Sequence, residues 1–245
     1  MNPVVSVSVV SHGQGELVGQ LVEDIDRNCA TPVELILTEN LPGAPRLKRS
    51  SVYPTQHVEN EKPKGFGANH NGAFGHCRAP FFCVLNPDIR MRRDPFPAMT
   101  SVLSDAGVGL VGPLIRNPAG GVEDSARRFP TLAGLAAKLL PGEHGPDYRI
   151  DIGPVRVDWI AGMCMLFRSE TFRALGGFDE RYFLYYEDVD LCRRAARRGL
   201  AVVYDPGVEL IHDARRASRR NPRLALHHAR SIARYFLSTS DKISG

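Results

Sequence analysis

The sequence predicts an α/β protein built on a mostly parallel, doubly wound sheet. Apolar β-branched runs such as "VVSVSVV" (Val4–Val10) read as strands buried on both faces, the pattern of parallel sheets. Between them lie stretches of helical periodicity, and strands alternating with helices build βαβ units. Three early segments also end in polar side chains, at Ser11-His12, Glu39-Asn40 and Asn86-Pro87-Asp88. In such sheets ligands collect at the carboxyl ends of the strands.

The elements follow in order. After the first strand, "GELVGQLVEDIDRNC" places Leu17, Val18, Leu21, Val22 and Ile25 on one helical stripe. "VELILT" (Val33–Thr38) is a second strand. A Pro/Gly-rich loop and "GFGANHNGAFGHC" then lead to the strand "FFCVL", and "VGLVG" (Val108–Gly112) reads as another. Residues 113–158, rich in Pro, Gly and Arg, read as an irregular excursion, and "VDWIAGMCMLF" (Val157–Phe167) as one long strand. Two short helices around the aromatic loop "YFLYY" come next, then the short strands "AVVYD" and "VELIH" and an amphipathic C-terminal helix, "NPRLALHHARSIARYFLS". With no repeat, low-complexity tract or clean linker, a single domain over residues 1–245 is expected.

Composition narrows the function classes. The 245 residues are 43% apolar and 24% charged, enough for a real core. No apolar run approaches the roughly 20 residues of a membrane span, and "MNPVVSVSVV" lacks the basic start of a signal peptide. Five scattered cysteines without CxxC spacing fit reduced thiols in a cytoplasmic protein. From Leu191 onward there are twelve Lys/Arg against four Asp/Glu, densest in "RRASRRNPR" (Arg215–Arg223). Such a cluster suits phosphates, an anionic bilayer or a solvated helix face. No nucleic-acid motif accompanies it, so no nucleic-acid partner is expected.

Several constellations suit chemistry. Asp88 at a strand end is either a turn residue or a ligand that holds a metal. "GFGANHNG" has spacing GxGxxxxG and does not follow a strand directly, so it reads as a weak dinucleotide signal or as a glycine-rich helix start packed close to the sheet. Glu187, Asp188 and Asp190 stand where a helix should begin, with four arginines towards its end. Acids there stabilise the helix, and Asp188 suits the N-cap. A carboxylate against the aromatic wall of "YFLYY" is also partly desolvated, which suits a general base. His212 after "VELIH" is a structural histidine, or a metal ligand if the fold brings it to Asp88. Trp159 is a core residue or a platform for a sugar ring.

In order, "VSVVSHG", "LTEN", "GFGANHNG", "LNPD", "VDWIAGMCMLFR", "GGFDERYFLYYEDVDLCRR" and "IHDARRAS" resemble the family 2 inverting glycosyltransferases of the GT-A fold, especially their bacterial rhamnosyltransferase-like branch. The likeness covers roughly residues 4–218. It implies a GT-A type, Rossmann-like, mostly parallel sheet flanked by helices with a small antiparallel acceptor-side region. About 1–112 would be the nucleotide-sugar half, about 113–220 the acceptor and catalytic half, and about 221–245 the amphipathic helix. It implies a donor site at Ser11, Glu39, Asn71, Asn86 and Asp88, and Asp188 as catalytic base with Glu187 beside it in the acceptor site. Trp159 and Gly162 would border the acceptor, and Asp88 and His212 would hold a divalent cation, Mg2+ or Mn2+. The implied partners are a nucleoside-diphosphate sugar, first of all dTDP-rhamnose, and a glycan or polyprenyl-linked acceptor in cell-surface polysaccharide synthesis. Leu224, Leu226, Ile232 and Phe236 would then either lie on the inner face of a membrane or dock on the domain itself. Two departures stand out: Asn86 replaces the family's first aspartate, and Glu39 stands where aspartate is usual. A non-catalytic nucleotide-sugar-binding module is the rival reading, with a nucleic-acid-binding protein behind it.

Overall fold

The computed structural model describes residues 2–137, 147–148, 153–213 and 222–240. In chain order the strands are β1 (Val5–Ser11), β2 (Val33–Glu39), β3 (Thr55–Glu59), β4 (Phe81–Leu85), β5 (Ile89–Arg90) and β6 (Val108–Arg116). After these come β7 (Ala126–Arg127), β8 (Val155–Val157), β9 (Trp159–Ile160), β10 (Cys164–Arg168) and β11 (Ala201–His212). The helices are α1 (Gly15–Asn28), α2 (Phe66–Phe74), α3 (Phe96–Val102), α4 (Leu132–Ala137), α5 (Ser169–Leu175), α6 (Glu187–Arg197) and α7 (Pro222–Ser240).

One sheet runs in the order β3-β2-β1-β4-β10-β6-β11-β5, with β8 added to β11. Strands β3, β2, β1 and β4 are mutually parallel. β10 enters antiparallel between β4 and β6, and β11 runs parallel to β6. The sheet is therefore mostly parallel, with β5, β8 and β10 reversed. A two-stranded sheet, β7 with β9, stands apart.

Both faces are covered, which explains the continuous apolar runs. Along β4, Cys83 and Leu85 enter one core while Phe82 and Val84 enter the other. β10 alternates the same way, with Cys164 and Leu166 on one side and Met165 and Phe167 on the other. The first core is closed by Val18, Leu21, Val22 and Ile25 of α1, and the second by Phe172, Val189, Leu191 and Tyr235. In β1 the second face carries Ser6 and Ser8, both fully buried and both hydrogen bonded, to Glu34 and His70. Burial of hydroxyls is tolerable only with such partners. Burial pushes the pKa of the His70 imidazole down to about 3, so it packs as a neutral ring. The cysteines are free thiols, four buried and Cys77 half-buried.

The structure departs from the sequence reading in four places. "VDWIAGMCMLF" is not one strand: it breaks into β8, β9 and β10 around a turn at 161–163. "AVVYD" and "VELIH" are one twelve-residue strand, interrupted by an irregularity between Asp205 and Glu209 where Pro206 and Gly207 sit. Proline and glycine in a strand mark such bulges. β6 continues to Arg116, so the excursion starts later than 113. β3 is an edge strand of half-buried residues, "TQHVE", with no apolar pattern to announce it. Most of the basic stretch, 215–221, lies outside the described residues.

α7 docks on its own domain. Tyr235 and Ser231 are buried, and Ile232 and Phe236 pack against the second core. Leu226 and Leu237 remain exposed, and the Leu224 side chain lies outside those described. Among the described residues no helix is long and apolar enough to cross a membrane.

Candidate active site

The carboxyl ends of the parallel strands line up as their register dictates. Ser11 sits opposite Glu39, and Glu39 opposite Glu59. The Asn40 amide donates to the Ser11 carbonyl and the Asn60 amide to the Glu39 carbonyl. Ser11 Oγ accepts from the Gln14 amide, and Glu39 Oε1 accepts from the amides of Leu41 at 3.1 Å and Gly13 at 3.4 Å. These bonds shape the loop after β1. A cavity of about 340 Å³ opens beside this edge, lined by Glu39, Arg46, His57, Glu59 and Asn60 among others. Neither Asp88 nor Asp188 lines it.

Three asparagines fix the start of α2. Asn60 Nδ2 donates to Asn40 Oδ1 at 2.9 Å and to Asn69 Oδ1 at 2.6 Å, and Asn40 and Asn69 hold the Lys64 backbone from both sides. Asn71, expected near the nucleotide, turns its side chain to the 178–180 loop. Its amide donates to the Phe178 carbonyl and to Glu180, and its oxygen accepts from the Phe178 amide. It clasps α2 to the 178–180 loop, with its polar atoms occupied there. The glycines of "GFGANHNG" serve close packing. A Cβ on Gly65 would lie 2.5 Å from the Phe183 carbonyl oxygen, and one on Gly67 would lie 2.6 Å from Phe178 Cβ. The segment before α6 reaches α2 only because both lack side chains.

Asp88 and His212 do come together. β5 pairs with the end of β11, and His212 Nε2 lies 3.2 Å from Asp88 Oδ2. The other ring nitrogen, Nδ1, lies 2.7 Å from Glu123 Oε2. Burial opposes a charge on this ring, but the hydrogen bonds and charges of Asp88 and then Glu123 outweigh it and push its pKa up to about 9. Asp88 Oδ1 is buried with no hydrogen-bond partner. A carboxylate oxygen desolvated without a partner is costly and fits a cation ligand. Two neighbouring ligands of an octahedral ion at about 2.1 Å stand about 3 Å apart, close to the 3.2 Å seen between Asp88 and His212. Among the described residues no three acidic, imidazole or thiol groups converge on one point, so an ion here needs oxygens from the donor. Asn86 is half-buried; its backbone N–H donates to the Met163 carbonyl at 2.9 Å.

The turn at 161–163 joins this edge to Asp188. Met163 takes the Asn86 bond, and the adjacent Gly162 amide donates to Asp188 Oδ2 at 3.0 Å. Asp188 Oδ1 accepts from the Val189 amide. Asp188 is not the N-cap: Tyr186 is, with φ of 69°, and Asp188 lies inside the first turn of α6. Asp188 is half-buried, and desolvation raises its pKa despite the amides of Gly162, Val189 and Asp188 itself, which lower it. Glu187 differs. It is buried, its Oε2 has no partner, and burial followed by repulsion from Asp188 holds its pKa well above the ordinary carboxylate range. Expected beside the acceptor, it is instead wedged towards Gly67, where a Cβ would come within 3.8 Å of its own Cβ. Burial raises the proton affinity of both neighbouring carboxyls.

Trp159 is not an open platform. It is 8% exposed, its indole N–H donates to the Arg128 carbonyl, and the Arg127 guanidinium lies 5.4 Å from the ring centre. It anchors the small β7–β9 sheet beside Asp188, whose pKa Arg127 helps to restrain. Gly162 contributes through its amide alone; a Cβ would press on Phe66 at 3.1 Å and approach Asp188 at 3.7 Å. Glu123, Arg127 and the Glu59-Asn60 pair escaped the sequence reading. The first two lie in the excursion, where no periodicity points to a site, and the last pair ends a strand without an apolar pattern.

The family described as "Glycosyltransferase like family 2" matches residues 3–230. An N-acetylglucosaminyl-diphospho-decaprenol L-rhamnosyltransferase of Mycobacterium tuberculosis is 30% identical over 274 aligned positions, covering 100% of this chain and 87% of the relative. Rhamnosyltransferase WbbL of Escherichia coli K12 is 28% identical, covering 95% and 92%. Among solved structures, GalNAc-T7 with UDP, GalNAc and Mn2+ superposes with a TM-score of 0.66 at 13% identity, over 87% of this chain and 44% of that one. Mannosyltransferase PcManGT of Pyrobaculum calidifontis, in complex with GDP-Man and Mn2+, gives 0.61 at 17%, over 89% and 59%. At these identities the structures bear on the fold alone: a GT-A-like sheet, spanning about half of each longer chain.

Proposed function

The chain belongs to the family 2-like glycosyltransferases, and from that premise we propose an inverting transfer of rhamnose from dTDP-rhamnose to a hydroxyl of a polyprenyl-diphosphate-linked sugar. The observation that carries the site assignment is the 161–163 turn, bonded to Asn86 on one side and to Asp188 on the other. Leaving-group and base residues therefore border one edge of the sheet. The names of the two rhamnosyltransferases, one acting on a decaprenol-linked sugar, support the donor and acceptor class.

The transfer is one displacement. Asp188 takes the proton of the acceptor hydroxyl as that oxygen bonds to the anomeric carbon, and the bond from that carbon to the diphosphate oxygen breaks on the opposite face. The electron pair leaves with the nucleoside diphosphate, so configuration inverts. Desolvation raises the proton affinity of Asp188, and the Gly162 and Val189 amides hold it in place. Ser11, Glu39 and Asn86 stand at the donor edge, where the nucleotide would lie. A divalent cation, Mg2+ or Mn2+, held by Asp88 and His212, would supply positive charge opposite the departing diphosphate.

Transfer from dTDP-rhamnose to a polyprenyl-diphosphate N-acetylglucosamine acceptor, followed with Mn2+ present, tests the reading. Asp188→Asn should lower kcat by about 10²–10⁴-fold while donor affinity survives, and Asp88→Ala should weaken donor binding as well. Full rates in both variants would sink the assignment. Donor binding without transfer in the wild type would favour a non-catalytic module.

A further inference from the structure

We propose that Glu123 is a positioning residue of the cation site: it holds the His212 ring by Nδ1 and so aims Nε2 at Asp88. The proposal rests on the reading of Asp88 and His212 as cation ligands. Glu123 Oε2 lies 2.7 Å from Nδ1, while Nε2 faces Asp88 Oδ2 at 3.2 Å. The ring is thus gripped on one nitrogen and offered on the other. A carboxylate on the non-ligating nitrogen fixes the tautomer and the ring orientation, and raises the basicity of the ligating one.

Glu123 is itself held rigidly. The chain leaves β6 at Arg116, turns tightly, and pairs back through a bridge from Arg116 to Val122. Asn117 closes the turn, its amide donating to the Gly121 carbonyl and its side-chain oxygen accepting from the amides of Ala119 and Gly121. The Glu123 amide then donates to the Ile115 carbonyl at 2.8 Å. Ile115 pairs with Leu210 of β11, two residues before His212. Carboxylate and imidazole therefore hang from one pair of neighbouring strands. Glu123 also meets a deficit noted in the sequence. Asn86 leaves Asp88 as the one carboxylate of its motif, and Glu123 brings a second negative charge to the far side of the ligand ring.

The test is Mn2+ affinity of the full chain, read from the free-ion EPR signal with and without dTDP. Glu123→Ala should weaken binding about 10–100-fold. Glu123→Gln keeps an acceptor without its charge and should lose about 3–10-fold. In a His212→Ala background, Glu123→Ala should cost little further, because the ring it orients is gone. Wild-type affinity in Glu123→Ala, or an undiminished loss in the His212→Ala background, overturns the proposal; so does a wild-type chain that binds no Mn2+. Should Glu123→Ala fail to fold, unchanged affinity in Glu123→Gln overturns it equally. A chain that shows this binding pattern but transfers no sugar defeats the transferase reading and leaves Glu123 in its role.

Discussion

At the scale of single residues, Glu187 and Asp188 show how adjacent positions of one type take opposite roles. Glu187 is buried, which pushes its pKa well above the ordinary carboxylate range; Asp188 is half-buried and accepts from two amides. The difference has a thermodynamic signature. An unfolded glutamate releases its proton near pH of about 4.3, whereas burial keeps the folded Glu187 protonated well above that. The stability associated with that proton is complete below the unfolded value and is lost as pH rises towards the folded one. Glu187→Gln does not titrate. Its melting temperature relative to wild type should therefore climb as pH rises above about 4.3, as calorimetry in matched buffers can follow; a flat difference would mean Glu187 ionises in the folded protein as it does in the unfolded chain. The acidic pair was legible in the sequence, since acids before a helix and beside aromatics carry a physical meaning. The division between them was not, because it depends on Gly67, 120 positions earlier in the chain. Asp88 and His212 were legible as candidates, while Glu123 required the fold.

At the scale of elements, the loop before α6 is held from two sides. Tyr185 and Tyr186 adopt φ of 70° and 69°, a left-handed conformation that costs of order 1–3 kcal/mol per non-glycine residue. On one flank the Phe66 amide donates to the Phe183 carbonyl. On the other, α7 supplies Ser231 Oγ to the Leu184 carbonyl, and His228 and Tyr235 to the Tyr186 ring at 5.8 and 5.3 Å. Arg193 of α6 ties in as well, 4.3 Å from the Tyr235 ring centre and bonded to Ser238. Of the apolar stripe expected on α7, Ile232 and Phe236 pack inward while Leu226 is exposed. What covers it was left open, because amphipathicity alone does not distinguish a bilayer from the helix's own domain. Tyr235→Ala should cost about 3–5 kcal/mol in chemical denaturation and lower kcat with donor affinity retained, whereas Tyr235→Phe should keep both near wild type. A destabilised Ala variant with full kcat would show that the base is set without α7.

At the scale of the molecule, the strand alternation that suggested a doubly wound sheet describes β1, β2 and β4 well. The reversal at β10 was invisible, since an antiparallel strand buried on both faces has the same apolar composition as its parallel neighbours. That reversal governs how the chain can be divided. β4 borders β10, which arrives some eighty residues later, and β10 borders β6. A fragment of residues 1–112 would leave β4 with a long apolar edge unpaired, an invitation to aggregate. It should sediment as insoluble material or large oligomers, and a monodisperse fragment with native-like circular dichroism would contradict this. During synthesis the same edge waits on the ribosome until residues 164–168 have emerged. Residues 1–112 and the rest of the chain are thus not separate folding units, and a transplanted first half would need the later strand supplied with it.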